Sequence, residues 1–258
     1  MKWVISDLDG TLLNNDRTVG EKTILGVQNL LKKGYPFVIA TGRGFASANT
    51  IREKLGVPIY MVCNNGATIY SPKGELIFEN YIPVEMVKKV TACLEKYRVD
   101  YRGFFQDYYF MPNYGKEDMK RIEYKAVILE KDEDFQILEK ILVVDPNTDL
   151  LRKIQKELQE EVGEELTITL SSSECLDINS KNCSKAAGIE KVATYLQLHL
   201  QDAIAFGDSE NDFAMLASVG KAVSMKGTYA AQEKDYEVTE FTNHEDGVIR
   251  HLEKYIKF

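Results

Sequence analysis

The chain has 258 residues, 44% of them apolar and 28% charged, with a net charge of −8. That composition is ordinary for a soluble globular protein, long enough for one large domain or two smaller ones. The acidic balance supplies no general field for nucleic acid or an anionic membrane, and it repels phosphate esters too, so any phosphate site must carry local positive charge, such as a metal.

No uninterrupted apolar run of about 18 residues occurs, so no transmembrane helix is expected. Asp7 and Asp9 stand where a signal peptide needs its apolar centre, which predicts a cytoplasmic protein. Cys63, Cys93, Cys175 and Cys183 form no CxxC pair and have no histidine at zinc-ligand spacing. They read as reduced, mostly buried thiols.

The first third alternates strand and helix. Trp3-Val4-Ile5 is a short apolar run ending at Asp7 and suits a buried parallel strand. Residues 19–33 carry a helical stripe of Ile24, Val27, Leu30 and Leu31, stopped by Gly34. Pro36 to Ala40 is a second strand, Phe45 to Leu55 a helix, and Ile59 to Cys63 a third strand. This order predicts a parallel sheet with helices on its faces.

The middle third reads as a smaller α+β unit. Pro83 to Tyr97 is an amphipathic helix. The aromatic-rich run Tyr101 to Met111 reads as a hairpin, either a ring-stacking substrate pocket or a sheet core. Lys140 to Val144 is a strand, Asp145-Pro146 a helix start, and Leu150, Leu151, Ile154, Leu158 and Val162 the stripe that follows. Leu166 to Leu170 and Cys175 to Ile178 are two more strands. The last third resumes the first pattern, with a helix from Ser184 to Leu196, a strand from Ala203 to Phe206, a helix after Asn211 and a short strand at Ala222-Val223. The expected architecture is a doubly wound, Rossmann-like α/β core of residues 1–80 and 184–258, with an α+β cap inserted over residues 81–183.

Ligands of open parallel sheets bind beyond the carboxyl ends of the strands, and the polar clusters lie there or at a helix start. Asp7 and Asp9 end the first strand, and their mutual repulsion calls for a cation or proton between them. A hard cation such as Mg²⁺ takes such oxygen ligands, while one aspartate could serve as nucleophile and the other as general acid and base. Thr41-Gly42-Arg43 ends the second strand and offers a hydroxyl and backbone N–H groups to a phosphoryl oxygen, or a helix cap. Lys185 starts a helix, at the positive end of the helix dipole, so it needs a nearby anion or open solvent. Asp208, Asn211 and Asp212 follow the strand at Ala203, as a cation site or as an acidic first helical turn.

In that order these four clusters resemble the four motifs of the haloacid dehalogenase superfamily of phosphatases, and most closely its Cof-type branch with a large inserted cap. Asp-Leu-Asp-Gly-Thr-Leu-Leu at the start, Ala40-Thr41-Gly42-Arg43, Asn65-Gly66-Ala67 and Asn243 to Val248 extend the resemblance along the whole chain. The resemblance implies that Asp7 is the nucleophile, forming a phosphoaspartate, and that Asp9 protonates the leaving alcohol and later activates water. It implies Mg²⁺ on Asp7, the main-chain carbonyl of Asp9 and Asp208, with Asp212 orienting Lys185 or a metal-bound water. Thr41, Gly42, the Leu8 amide, Lys185 and Asn211 would hold the phosphoryl group. The chain departs from the family at Ala186, where glycine usually follows the lysine.

A small phosphorylated metabolite, such as a sugar phosphate, is the implied substrate, for a monomer or homodimer that binds neither nucleic acid nor membrane. A phosphomutase would use the same aspartates and return the phosphoryl group to substrate. A phosphoaspartate switch of the response-regulator kind would place its aspartate after the third strand, where Cys63-Asn64 stands. A nicotinamide oxidoreductase would need a third glycine where Ser47 stands.

Overall fold

A computed structural model describes residues 1–114, 124–129, 137–233 and 235–256. The first third holds β1 (Trp3–Ser6), α1 (Glu21–Lys32), β2 (Phe37–Ala40), α2 (Phe45–Leu55), β3 (Tyr60–Cys63), β4 (Thr68–Tyr70) and β5 (Leu76–Glu79). The middle holds α3 (Val84–Tyr97), β6 (Asp100–Phe105), β7 (Tyr108–Pro112), β8 (Lys125–Leu129), β9 (Lys140–Val144), α4 (Thr148–Val162), β10 (Leu166–Ser172) and β11 (Cys175–Ser180). The last third holds α5 (Lys185–Leu196), β12 (Ala203–Gly207), α6 (Phe213–Ser218), β13 (Lys221–Ser224), α7 (Tyr229–Glu233), β14 (Glu237–Val238) and α8 (Gly247–Leu252).

The elements form two sheets. The first has eight strands in the order β14-β13-β12-β1-β2-β3-β4-β5. From β14 to β3 neighbours run parallel, and β4 and β5 extend the edge as an antiparallel hairpin. The chain winds outward from β1 through β2 and β3, then returns to β1's other side through β12. This is the doubly wound α/β fold expected, and β1 sits beside the switch point where such sheets bind ligands.

Both faces of the first sheet are covered, which is why its strands read as continuous apolar runs rather than alternating ones. Val4, Phe37, Ile39 and Phe206 pack against Val27 and Leu30 of α1, Ile51 and Leu55 of α2, and Ile249 and Leu252 of α8. Trp3, Ile5, Val38 and Ala205 pack on the other face against Ile189 and Val192 of α5 and Met215 and Leu216 of α6. Burying each such side chain is worth roughly 1.5–3 kcal/mol.

The second sheet has six strands in the order β10-β11-β9-β6-β7-β8. Its strands obey a period of two. On β9 and β11, Ile141, Val143, Leu176 and Ile178 face α3 and α4. The residues between them are Lys140, Leu142, Asp177 and Asn179, and they belong to the opposite face, towards the first sheet. Several rings of the aromatic hairpin pack into the sheet, and none of them lines the cleft between the sheets. Tyr101 joins the helix-facing cluster, and Phe104 and Tyr109 pack with Met111, Tyr124 and Leu142. Helix α4 starts later than Asp145-Pro146 suggests, because Asn147 is its cap and accepts the Leu150 N–H at 3.1 Å.

Polar bonds tie the two sheets together. Asn64, just past β3, donates to the Glu139 carboxylate at 2.6 Å, and Asn179 donates to the carbonyls of Asn64 and Glu139 at 2.9 and 3.1 Å. Glu139 is 1% exposed. Burial pushes its carboxyl up from 4.5 to about 7, against the lowering effect of hydrogen bonds from the Gln106 N–H and Asn64. A carboxyl whose pKa is raised in the fold adds stability that is present below its unfolded value and lost as pH rises through the folded one. Relative to Glu139→Gln, the wild type is therefore expected to lose on the order of 3 kcal/mol between pH 4.5 and 8. Urea unfolding of both proteins across that range checks this, and parallel pH profiles would contradict it.

Candidate active site

Three strand ends and one helix start converge beside β1. The chain leaves β1 at Asp7 into a single helical turn, Leu8–Leu12, interrupted at Gly10 with φ +78°. A Cβ at Gly10 would lie 2.5 Å from Asp208 Oδ2, so the two motifs approach as closely as they do only because residue 10 has no side chain. Thr11 Oγ donates to Asp208 Oδ1 at 3.1 Å.

Lys185 is the first residue of α5, placed there by Ser184, whose hydroxyl caps the helix by accepting the Ala187 N–H at 3.1 Å. Its ammonium donates to Asp7 Oδ1 at 2.8 Å and to Asp212 Oδ1 at 2.7 Å. The lysine is 2% exposed, so the surface-lysine reading is wrong and the two carboxylates explain its place at a positive helix end. Burial opposes its charge, but Asp212 and Asp7 outweigh that and hold its pKa well above the usual lysine value.

The carboxylates of Asp7, Asp208 and Asp212 offer oxygen atoms all within 4.8 Å of one another. Burial, with the neighbouring acids adding to it, raises Asp7 well above the carboxylate range despite Lys185. Burial and Asp212 together lift Asp208 to about 7. With three acids facing one ammonium, two of them are pushed towards their neutral form, and an all-oxygen donor set of this kind fits a hard divalent cation, whose charge would favour their ionised forms. Asp212 already accepts the N–H groups of Asp208 and Ser209 at 2.9 and 3.1 Å as well as Lys185, which suits it to orienting the lysine.

Asp9 points elsewhere. Arg43 grips its carboxylate with Nε on Oδ2 at 2.7 Å and Nη2 on Oδ1 at 2.5 Å. Burial would raise Asp9, but this fork outweighs burial and holds it below the usual carboxylate range. Arg43 is a site residue to which the sequence motif assigned no role. The signal was available, since it follows Thr41-Gly42 at a strand end, but its partner could be identified only in three dimensions.

Thr41 is not the cap of α2, a position that Gly44 occupies. The Thr41 hydroxyl instead accepts the Arg43 N–H at 3.1 Å. Asp7, Asp9, Thr41, Gly42, Lys185, Asp208 and Asn211 all line one cleft of about 1040 Å³. The Leu8 side chain lies in the core and Asp212 is fully buried behind Lys185. Across the cleft, Lys140, Ser171, Ser172, Ser173 and Asp177 line it from the second sheet.

Removing the lysine leaves two buried acids without their cation. Lys185→Met is expected to lose about 3–5 kcal/mol of stability in metal-free buffer. Chemical denaturation checks this, and a loss below about 1 kcal/mol would mean that the carboxylates are protonated or solvated instead.

The family model for haloacid dehalogenase-like hydrolases matches residues 4–252. An HMP-PP phosphatase of Escherichia coli O6:H1 is 30% identical over 226 residues, covering 85% of this chain and 82% of that protein. A solved haloacid dehalogenase-like hydrolase from B. subtilis superposes with a TM-score of 0.87 at 26% identity, covering 99% of this chain and all of the other. A solved HAD subclass IIB sugar phosphatase shares the fold, with a TM-score of 0.82 at 23% identity over 99% of each chain. No helix among the described residues is long and apolar enough to cross a membrane. The match along nearly the whole chain, with four motifs converging on one cleft, makes this protein a phosphatase of the haloacid dehalogenase superfamily, in its Cof-type branch.

Proposed function

We propose that the enzyme hydrolyses a phosphate monoester of a small metabolite, a sugar phosphate or a compound of similar size, through a phosphoaspartate on Asp7 with Mg²⁺ as cofactor. The observation that carries this reading is the cluster of Asp7, Asp208 and Asp212, with Lys185 paired to Asp7 and Asp212. Asp7, Asp208 and the main-chain carbonyl of Asp9 would hold the ion, with Asp212 behind them. Bound there, Mg²⁺ would neutralise surplus charge and polarise the phosphoryl oxygens.

Asp7 has the position of a nucleophile, at the switch point, lining the cleft, with one oxygen held by Lys185. Its free oxygen attacks phosphorus as the bond to the leaving oxygen breaks. Lys185, the Gly42 N–H, the Leu8 amide, the Thr41 hydroxyl and Asn211 hold the phosphoryl oxygens, and charge placement of this sort is most of what phosphoryl transfer requires. Asp9 gives its proton to the leaving alkoxide. In the second step Asp9 accepts a proton from water as that water attacks phosphorus and releases Asp7. Arg43 keeps Asp9 ionised, which suits the second step. For the first step the pair must loosen as substrate seats, so that Asp9 takes up from solvent the proton it gives to the leaving oxygen.

Residues 81–183, with the second sheet, act as the cap that covers the cleft and excludes water. The cleft volume matches a small metabolite. One relative is named an HMP-PP phosphatase, which supports a small phosphorylated compound as substrate.

Free phosphate is expected from a panel of sugar phosphates in Mg²⁺ and not in EDTA. Asp7→Asn should lower that release by on the order of a thousandfold or more. Release that survives in Asp7→Asn would remove Asp7 as nucleophile, and isomerised substrate without free phosphate would make the enzyme a mutase. Saturating Mg²⁺ should also raise the unfolding free energy of the wild type, by about 2.7 kcal/mol at a hundred times its dissociation constant. Asp208→Asn should abolish most of that shift, and an equal shift in both proteins would place the ion elsewhere.

A further inference from the structure

The turn that ends β2 is held from the opposite sheet. Lys140, the first residue of β9, donates its ammonium to the Gly42 carbonyl at 2.6 Å. It is ion-paired with Asp177 on β11 at 3.3 Å, and both side chains are more than nine-tenths buried, 8% and 3% exposed. The other Asp177 oxygen accepts from Asn65 Nδ2 at 2.7 Å, and the Asn65 N–H donates to the Thr41 carbonyl at 3.0 Å. The chain of contacts closes on itself, from Thr41 through Asn65, Asp177 and Lys140 back to Gly42.

Several local features make this ring possible. Asn64, Asn65 and Gly66 have positive φ in succession, a conformation that asparagine and glycine tolerate best, and it brings the Asn65 side chain to Asp177. A Cβ at Gly42 would lie 3.1 Å from Asn65 Oδ1 and 3.5 Å from Asp177 Oδ2, so a larger residue there would press on the ring.

The ring has a consequence for the peptide groups between its anchors. A trans peptide points its C=O and N–H in opposite directions. With the Thr41 carbonyl drawn to Asn65, the Gly42 N–H points the other way, and it has no hydrogen-bond partner among the described residues. The next carbonyl, that of Gly42, is drawn to Lys140, and the Arg43 N–H of the same peptide goes to the Thr41 hydroxyl. Two successive peptide planes are thus held by their carbonyls, and one N–H is left for a ligand in a residue that lines the cleft.

We propose that Lys140 is a positioning residue for phosphoryl transfer. From the second sheet it holds the Gly42–Arg43 peptide directly, and through Asp177 and Asn65 it braces the Thr41–Gly42 peptide, so that the Gly42 N–H is aimed at the transferring phosphoryl group. Seating of the second sheet and readiness of the phosphoryl-holding turn are then one event. The inference rests on the reading of that turn as a phosphoryl holder, and its tests separate the two ideas.

The experiment compares wild type, Lys140→Met and Lys140→Arg on two substrates, a hexose phosphate and p-nitrophenyl phosphate. A misaimed donor weakens transition-state binding, so Lys140→Met should lose kcat by on the order of 30–100-fold on both substrates, with KM moving less than about threefold. Lys140→Arg keeps the cation and should recover most of the loss. If KM for the hexose phosphate rises while hydrolysis of p-nitrophenyl phosphate is unchanged, Lys140 contacts the leaving group and the positioning role is wrong.

Amide hydrogen exchange gives a readout independent of turnover. The Arg43 and Asn65 amides should exchange faster in Lys140→Met and normally in Lys140→Arg, and unchanged exchange in Lys140→Met overturns the proposal. If the wild type hydrolyses neither substrate, the proposed substrate class fails, and the exchange data still decide whether Lys140 holds the turn. Should Lys140→Met fold poorly because Asp177 is left buried without its cation, Lys140→Met combined with Asp177→Asn removes both charges and gives the same readout.

Discussion

One buried ammonium holds the active site together. Lys185 lies between Asp7, at the end of β1, and Asp212, past the end of β12, and it touches both at hydrogen-bond distance. Without it, three carboxylates would meet in a dry pocket. With it, Asp7 keeps one oxygen fixed, and Asp212 is free to brace the Asp208–Ser209 turn through its second oxygen. The surrounding fold serves that arrangement. Strands β1 and β12 must be parallel neighbours for their ends to meet, and α5 must start beside them for its first residue to reach both acids.

That site is strongly anionic by itself, and its cations come from several directions. Lys185 comes from the helix side, Arg43 from the turn after β2, and Lys140 from the other sheet. Each is paired with an acid of its own: Asp7 and Asp212, Asp9, and Asp177. Paired this way, the Lys185 and Lys140 charges have their burial cost partly offset by their partners, while Asp9 stays half exposed. The protein as a whole is acidic, so attraction for a phosphate ester must be local, and these cations with the carboxylate-bound cation of the proposed mechanism are where it would arise.

The second sheet does more than cover the cleft. Its helix-facing side is ordinary apolar core. The opposite side carries Lys140, Asp177 and Asn179, which bond to the turns after β2 and β3. Polar residues survive this burial because each finds a partner in the other sheet, as burial of polar groups requires. If the turn after β2 holds the phosphoryl group as proposed, a second sheet bonded to it this way would influence its geometry as well as access to the cleft.

The apolar runs ending in acids and the helical stripes between them made the α/β core legible in the sequence, because strand, helix and strand-end chemistry are local properties. Asp7, Thr41, Gly42, Lys185, Asp208 and Asn211 could be named from motifs for the same reason, and all line the cleft. The hairpin β4–β5 was not legible, since its short strands carry no strong period. Nor was the fate of the aromatic run Tyr101 to Phe110, because a ring on a strand is equally suited to core or to ligand until the sheet's partners are known. The cleft-side partners were the least visible: Arg43 with Asp9, Asn64 with Glu139, and Lys140 with Gly42 and Asp177. They lie tens of residues apart or more; the Arg43–Asp9 pair depends on β1 and β2 being neighbours, and the others on how the second sheet faces the first. The sequence by itself determined the elements, the motifs and the net need for a cation, because these follow from neighbouring residues and composition. Only the tertiary structure decided which charges meet, because pairing between distant segments is set by packing and strand register, which no local pattern encodes.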